Sequence, residues 1–393
     1  MMKFLEEIEV KNKTVFLRVD FNVPLDENLN IRDDTRLQAS LPTIRFLLQK
    51  GAKLVVASHL GRPKGQFNPK MSLKPVAARL GQLLPQTKII MAPDVIGEEV
   101  NRLKNNLKEG ELLLLENVRF YKQETDNDPE FARKLAEGCE VFINDAFGSC
   151  HRAHASVVGV AAFIKEKAAG YLLIKEVNYL SKITHNPDRP YVAILGGAKI
   201  EDKIPVLESL ITKADTLLIG GAMAYTFLQA QGKKVGKSLV EEDKLEIARE
   251  ILKKSEESQV KFYLPLDHVL TSSIESRAVV QIADSYPLPD NLMGVDIGPK
   301  TIEEYKKQIK NARTIFWNGP LGVFEVEAFS KGTVEIARAV ADSGALSVVG
   351  GGDSIAAIHK AGVSDKISHI STGGGASLEY IAYGTLPGIE ALG

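Results

Sequence analysis

The chain has almost no cysteine: Cys139 and Cys150 are the two thiols in 393 residues. Two thiols make no disulfide framework, which suits a reducing compartment. Neither lies in a CxxC or Cys/His ligand spacing, so a zinc site is not expected. No apolar run approaches the length needed to cross a membrane. The first residues, Met1-Met2-Lys3-Phe4-Leu5-Glu6-Glu7, bring acids early with no long apolar stretch behind them, so no signal peptide is expected. An excess of one charge sign is missing too. The formal net charge is −1, which argues against a nucleic-acid partner or an anionic membrane surface, and any basic site must be local. There is no low-complexity segment and no short repeat. These absences lead to the expectation of a cytoplasmic enzyme.

What is present is ample core material. An apolar fraction of 44% and a charged fraction of 25% are those of a globular protein, and 393 residues exceed one ordinary domain. Strand and helix patterns alternate almost throughout. Strands are expected at 14–19, 53–57, 112–115 and 141–143. In the second half they are expected at 192–195, 216–219, 261–263, 279–282, 314–316, 347–349 and 369–370. Asp34 is expected to cap a helix that Gly51 ends, Ser72 to open another, and Asp128-Pro129 to start a third. Helices are also expected over 301–310 and 331–341. The fold class that follows is α/β, with two doubly wound parallel-sheet (Rossmann-like) domains. A longer amphipathic pattern at 171–185, broken by His185-Asn186-Pro187-Asp188-Arg189-Pro190, is expected to be the helix that joins them.

In such sheets ligands bind beyond the carboxyl ends of the strands. In the first half those ends carry charge: Arg18-Val19-Asp20-Phe21-Asn22, Ser58-His59-Leu60-Gly61-Arg62-Pro63, Glu116-Asn117-Val118-Arg119-Phe120, and Asn144-Asp145-Ala146-Phe147 through His151-Arg152-Ala153-His154. Several arginines at one sheet edge make an anion site, because guanidinium binds carboxylate and phosphate as a fork. Each residue alone has a plainer reading, as a solvated loop arginine or a hydrogen-bonded core histidine. In the second half the ends carry glycine: Gly196-Gly197-Ala198-Lys199, Gly220-Gly221, Trp317-Asn318-Gly319-Pro320, Gly350-Gly351-Gly352-Asp353-Ser354 and Ser371-Thr372-Gly373-Gly374-Gly375. Such turns let a phosphorylated ligand approach the backbone, and a helix N-terminus favours its charge. Taken by itself the turn at 350–354 reads equally well as a tight turn with Asp353 or Ser354 as a helix cap. Lys199 and Lys203 would share one face of a first helical turn if Lys199 opens that helix. Gly232-Lys233-Lys234-Val235-Gly236-Lys237-Ser238 imitates a P-loop, but the first glycine would have to stand at Gln231. No GxGxxG occurs at the first strand–helix turn of either half, which weakens a dehydrogenase reading.

Together these runs resemble the phosphoglycerate kinase family over essentially the whole chain. The resemblance implies reversible phosphoryl transfer from 1,3-bisphosphoglycerate to ADP, giving ATP and 3-phosphoglycerate, with Mg2+. It implies that Asp20, Asn22, Arg36, His59, Arg62, Arg119 and Arg152 hold the triose in a domain of residues 1–170 completed by 376–393. It further implies that Gly197, Lys199, Lys203, Gly220, Gly221, Gly294, Asn318, Pro320, Val323, Glu325, Gly351, Gly352, Asp353 and Ser354 hold the nucleotide in residues 186–375. Asp353 would be the metal ligand. Arg36, Lys199, Lys203 and the N–H groups of Gly373 and Gly374 are expected to stabilise the moving phosphoryl, with domain closure around the connecting helix. The partners would be these small molecules alone, and a monomer is expected. The competing reading is a two-lobed protein that closes on a phosphorylated ligand without chemistry.

Overall fold

The computed structural model describes residues 2–393. Among the described residues fifteen strands occur in chain order: β1 Thr14–Arg18, β2 Lys53–Ala57, β3 Ile89–Met91, β4 Leu112–Leu114, β5 Val141–Asn144, β6 Glu166–Ala169, β7 Tyr191–Leu195, β8 Thr216–Ile219, β9 Lys261–Tyr263, β10 His268–Thr271, β11 Gln281–Ala283, β12 Met293–Ile297, β13 Thr314–Asn318, β14 Leu346–Gly350 and β15 His369–Ser371. They form a six-stranded sheet in the order β3-β4-β2-β1-β5-β6, a second in the order β15-β14-β13-β7-β8-β9, and a three-stranded sheet β11-β10-β12. Both six-stranded sheets are parallel throughout, as the alternating pattern predicts. Their central strands are buried along their whole length, which is why β1, β4, β5, β7 and β13 read as runs with little alternation.

The chain divides into two compact units. One runs through Asn178 and includes Thr385–Gly393; the other is Tyr179–Gly384. The C-terminal return, expected from residue 376, therefore begins later. The helix Gly375–Tyr383 stays with the second unit, where Ser209 donates to the Ile381 carbonyl at 2.7 Å. In the first unit the return is tied down by Gly388, whose N–H donates to the Cys150 carbonyl at 2.9 Å.

Four strands escaped the pattern: β3, β6, β10 and β12. The small sheet is antiparallel, and the strand expected at 279–282 is its edge strand β11. Helix starts also moved. The helix expected to open at Ser72 begins at Lys74, and Ser72 accepts the Lys74 N–H. Asp34 stands at the cap of Thr35–Gln49 but makes no cap bond. Its carboxylate holds Arg79, while Asp33 accepts the Thr35 N–H at 2.8 Å. Asp128 caps Pro129–Ala136 as expected, accepting from the Phe131 N–H at 2.8 Å.

Each parallel sheet winds outward in two directions from its centre. The reversal falls between β1 and β5 in the first sheet and between β7 and β13 in the second. Those are the crevices where such sheets place ligands.

Candidate active site

In the first unit the crevice is lined by cations. Asp20 follows β1 and accepts from Arg36 Nη1 at 2.5 Å and from the Asn22 N–H at 3.1 Å. Asn22 in turn accepts the Gly61 N–H at 2.8 Å, and the Gly61 carbonyl accepts from Arg119 Nη1 at 2.9 Å. One hydrogen-bonded chain thus joins residues from three strand ends. Gly148, after β5, closes tightly on it: a side chain there would meet Asp20 Oδ2 at 2.7 Å. His59 is buried with Nδ1 3.2 Å from Arg18 Nη2. Arg152 donates to His151 Nε2 at 3.1 Å. Arg62 is exposed beside this chain.

The electrostatics are those of a site short of negative charge. Burial, then Arg18 and Arg152, lower the Arg119 guanidinium to about 10. Burial, then Arg119 and Arg18, push His154 down to about 3. His59 is driven well below its ordinary range, first by burial, so it is neutral at pH 7. Burial works against the charged form of Asp20, but the basic groups facing it, His59, Arg36 and Arg18, leave it at about 2. With His59 neutral, the two guanidiniums carry that attraction. Cations that depress one another fit a multiply charged anion.

Sequence reasoning missed the frame behind this crevice. Arg18 is fully buried, and its Nε donates to Ser156 at 2.8 Å. Glu124, also fully buried, accepts from the Ser156 N–H at 2.9 Å and hydroxyl at 2.6 Å. Arg18 stands in a motif quoted above, but Ser156 and Glu124 lie outside those motifs and no local pattern marks them.

In the second unit β7 and β13 end in a pinch. The Gly196 N–H donates to the Asn318 carbonyl at 2.9 Å and the Gly197 N–H to the Pro320 carbonyl at 3.0 Å. Gly319 has φ +93°, and a Cβ on it would lie 2.1 Å from the Gly196 carbonyl oxygen. Two spaces open beyond the pinch. A cavity of about 210 Å³ is lined by Gly221, Ala222, Tyr225, Gly294, Leu321, Val323 and Glu325 among others. A groove of about 390 Å³ is lined by Lys199, Asp202, Lys203, Asn318, Gly351 and Gly352. They share Gly197, Ala198, Pro320 and Asp353.

Most of the expected nucleotide residues thus meet at one place. Lys199 does not open a helix: a tight turn over Glu201–Lys203 precedes the helix Ile204–Ile211, and Lys199 sits in the loop before it. Both lysines still reach the groove. Lys203 is lowered by burial, against the opposing pull of Asp202 and Asp353, and its ammonium donates to Asn318 Oδ1. Ser354 lines the groove, yet its hydroxyl accepts the Gly319 N–H at 2.6 Å and so braces the pinch. Gly220, Gly373 and Gly374 line neither space. Gly220 leaves room for Leu321, and the Gly373 N–H donates to Ser371 at 3.2 Å. The P-loop imitation follows the helix Met223–Ala230, and a Cβ on its Gly236 would strike the Pro289 carbonyl at 2.4 Å.

An apolar slot continuous with a lysine-lined groove has the form of a nucleotide site, and the arginine crevice that of a site for a small anion. Likeness to known proteins agrees. The phosphoglycerate kinase family description matches residues 5–383. The phosphoglycerate kinase of Koribacter versatilis is 54% identical over 99% of this chain and 98% of its own. That of Solibacter usitatus is 55% identical over 99% of this chain and 98% of its own. Among solved structures, phosphoglycerate kinase from Coxiella burnetii superposes with a TM-score of 0.91 at 41% identity, covering 100% of this chain and 99% of that one. The Pyrococcus horikoshii enzyme gives 0.85 at 37% identity, covering 100% and 98%. Nothing in these likenesses favours a binding protein without chemistry. The chain belongs to the phosphoglycerate kinase family, and its activity is the reversible transfer of a phosphoryl group between 1,3-bisphosphoglycerate and ADP.

Proposed function

We propose that the arginine crevice of the first unit holds the triose and that the paired spaces of the second hold the nucleotide. In this reading residues 1–170 with the C-terminal return are the triose domain, and 186–375 the nucleotide domain. The observation that carries it is the continuity of the apolar cavity with the lysine groove through Gly197, Pro320 and Asp353. The cavity suits a base, the groove a chain of phosphates. Asp20, Asn22, His59, Arg62, Arg119 and Arg152 would orient the triose. Asp20 takes one N–H of Arg36 and leaves the rest of that fork for the reacting group.

In the ATP-consuming direction the attacking group is the carboxylate of 3-phosphoglycerate, already ionised at neutral pH, so no general base is needed. The protein's task is alignment and charge stabilisation. Lys199, Lys203 and Arg36 supply cations, and the turn at Gly373-Gly374 supplies a helix N-terminus. Ligands held by two units must be drawn into line, so transfer follows closure.

The donor set suits a magnesium ion that arrives with the nucleotide. Asp353 is exposed in the first turn of the helix Gly352–Ala361, Asp202 lines the same groove, and no cluster of three ligand-type side chains occurs among the described residues. One or two carboxylates with phosphate oxygens and water are the usual protein share of such a site. Asp353 would hold the ion, which when bound neutralises phosphate charge. A monomer acting in the cytoplasm completes the reading. No helix of the described residues is long and apolar enough to cross a membrane.

The test is a coupled assay with ATP, magnesium and 3-phosphoglycerate, read through glyceraldehyde-3-phosphate dehydrogenase as loss of NADH. Loss that depends on all three is expected; a rate no greater than the blank would sink the reading.

A further inference from the structure

Among the described residues, Tyr225, on the helix Met223–Ala230, is the one hydroxyl-bearing side chain on the wall of the apolar cavity. Its hydroxyl occupies the place a side chain at Gly294 would take: a Cβ there would lie 1.6 Å from Tyr225 Oη. Gly294 itself lines the cavity, so its bareness brings that hydroxyl to the wall.

Behind the wall stands a chain of three rings. Tyr225 Oη is 3.1 Å from His268 Nδ1 on β10, and His268 Nε2 is 2.6 Å from Tyr286 Oη. Burial, with Asp267 opposing and Lys233 assisting, takes His268 down to about 4. At pH 7 the ring is neutral, with one N–H and one bare nitrogen. Burial raises both phenols, Tyr286 to about 12, so each keeps its proton. Three hydrogens are thus available for two hydrogen bonds, and one is left over.

The distances say which. A hydroxyl donor gives the shorter bond and a ring N–H the longer. The 2.6 Å contact is assigned to Tyr286 donating to Nε2, and the 3.1 Å contact to Nδ1–H donating to Tyr225. Tyr225 then accepts from behind, and its own hydrogen is free of the chain. The other polar side chains of the cavity, Asp296, Glu325 and Asp353, are carboxyl groups. Those of Asp296 already accept the Gly332 N–H at 2.6 Å and the Ile297 N–H at 2.9 Å.

We propose that Tyr225, oriented by His268 and Tyr286, donates a hydrogen bond to an acceptor on the nucleotide's base and so sets how tightly the base is held. The proposal rests on the nucleotide reading of this cavity. It makes Tyr225 a binding residue, and His268 and Tyr286 positioning residues.

Tyr225→Phe keeps the ring and removes the donor. In the full-length protein it should weaken ADP binding, by isothermal titration calorimetry, about three- to tenfold, the effect of one neutral hydrogen bond. The nucleotide KM should rise in step, with kcat and the 3-phosphoglycerate KM unchanged. In 15N-histidine spectra at pH 7, with the His268 signals identified by their loss in His268→Gln, the proton should sit on Nδ1. Unchanged ADP affinity in Tyr225→Phe, an equal loss for both substrates, or a proton on Nε2 would each overturn the proposal. Wild-type protein that takes up no ADP would instead remove the nucleotide reading, and the wild-type titration tells the two failures apart.

Discussion

At the carboxyl end of β1 stands an ion pair, Asp20 with Arg36; at the matching end of β7 stand two bare glycines, Gly196 and Gly197. The sheets around them are alike: six parallel strands, reversing once at the centre. What differs is what each half sets at its strand ends. The first presents side chains, with Arg119 and Arg152 from strand-end turns and Arg36 from the start of the helix Thr35–Gln49. The second presents backbone, with glycine turns pinched until neighbouring carbonyls leave no room for a Cβ, and adds two lysines. A small, compact anion can be surrounded by flexible guanidiniums. A long, flat ligand needs a smooth wall and close backbone approach. In the reading proposed above, one parallel-sheet frame serves two ligand shapes by differing at its strand ends and in the elements set beside them.

The sharpest way to test that contrast is Lys203→Ala. This ammonium is the half-buried cation of the backbone-lined half, lowered by its burial and held by Asn318. Its loss should cut kcat about 10²- to 10³-fold, the range for losing one group aimed at developing charge. The thermal midpoint should hardly move. An unchanged rate would mean that the glycine turns suffice alone. Next in size is Arg62→Ala. As an exposed arginine of the side-chain-lined half, it should raise the 3-phosphoglycerate KM by roughly 10- to 100-fold, the worth of a charge-assisted hydrogen bond, with nucleotide KM unchanged. A defect confined to the nucleotide would exchange the two halves.

A third pair separates glycines that face a ligand from those that hold the frame. Gly197 has φ +112° with open space where its Cβ would be; Gly221 has φ +68° but a Cβ there would meet Gly197 N at 2.5 Å. Gly197→Ala should raise nucleotide KM several-fold, with a strain cost of about 1 kcal/mol. Gly221→Ala should lower the thermal midpoint further, because backbone must shift. If the two variants melt together, the division fails.

The parallel sheets were legible because burial on both faces writes long apolar runs, and turn residues bound them. The strands that escaped lacked that signature. Glu166–Ala169, the sequence Glu-Lys-Ala-Ala, is an edge strand with half its residues partly exposed. Met293–Ile297 pairs in a small antiparallel sheet and carries Gly294 and Asp296 within it. At the site, motifs placed the groove but not the duty of each member. Ser354, expected at the nucleotide, lines the groove and also braces the pinch, a second duty that a hydroxyl's partner 35 positions away leaves without a local mark. Glu124 and Tyr225 went unread for the same reason, as did the hold of Asp145 on the N–H groups of Leu172 and Leu173.

The smallest predicted effect contrasts two carboxyl groups at one crevice. Asp20 follows β1 and is held low by the cations facing it, whereas Asp145 follows β5 and burial raises it to about 7. Asp145 Oδ1 accepts the N–H groups of Leu172 at 2.8 Å and Leu173 at 3.1 Å, at the start of the helix Tyr171–Thr184. Its Oδ2 is buried, and the Thr43 side chain is the first group that opposes the rise. The signs therefore oppose. Asp20 stabilises the fold above its ordinary value near 3.8, and that contribution is lost as pH falls toward about 2. Asp145 is protonated in the folded state while the unfolded chain is already ionised, so from about 4 to about 7 its contribution falls as pH rises. Asp145→Asn keeps the acceptor that caps the helix and removes the charge. The difference in thermal midpoint, variant minus wild type, should therefore grow by about a few degrees between pH 5 and pH 8. Every other titrating group is common to both proteins and cancels in that difference, so parallel profiles would mean that Asp145 ionises as readily as a solvated carboxylate.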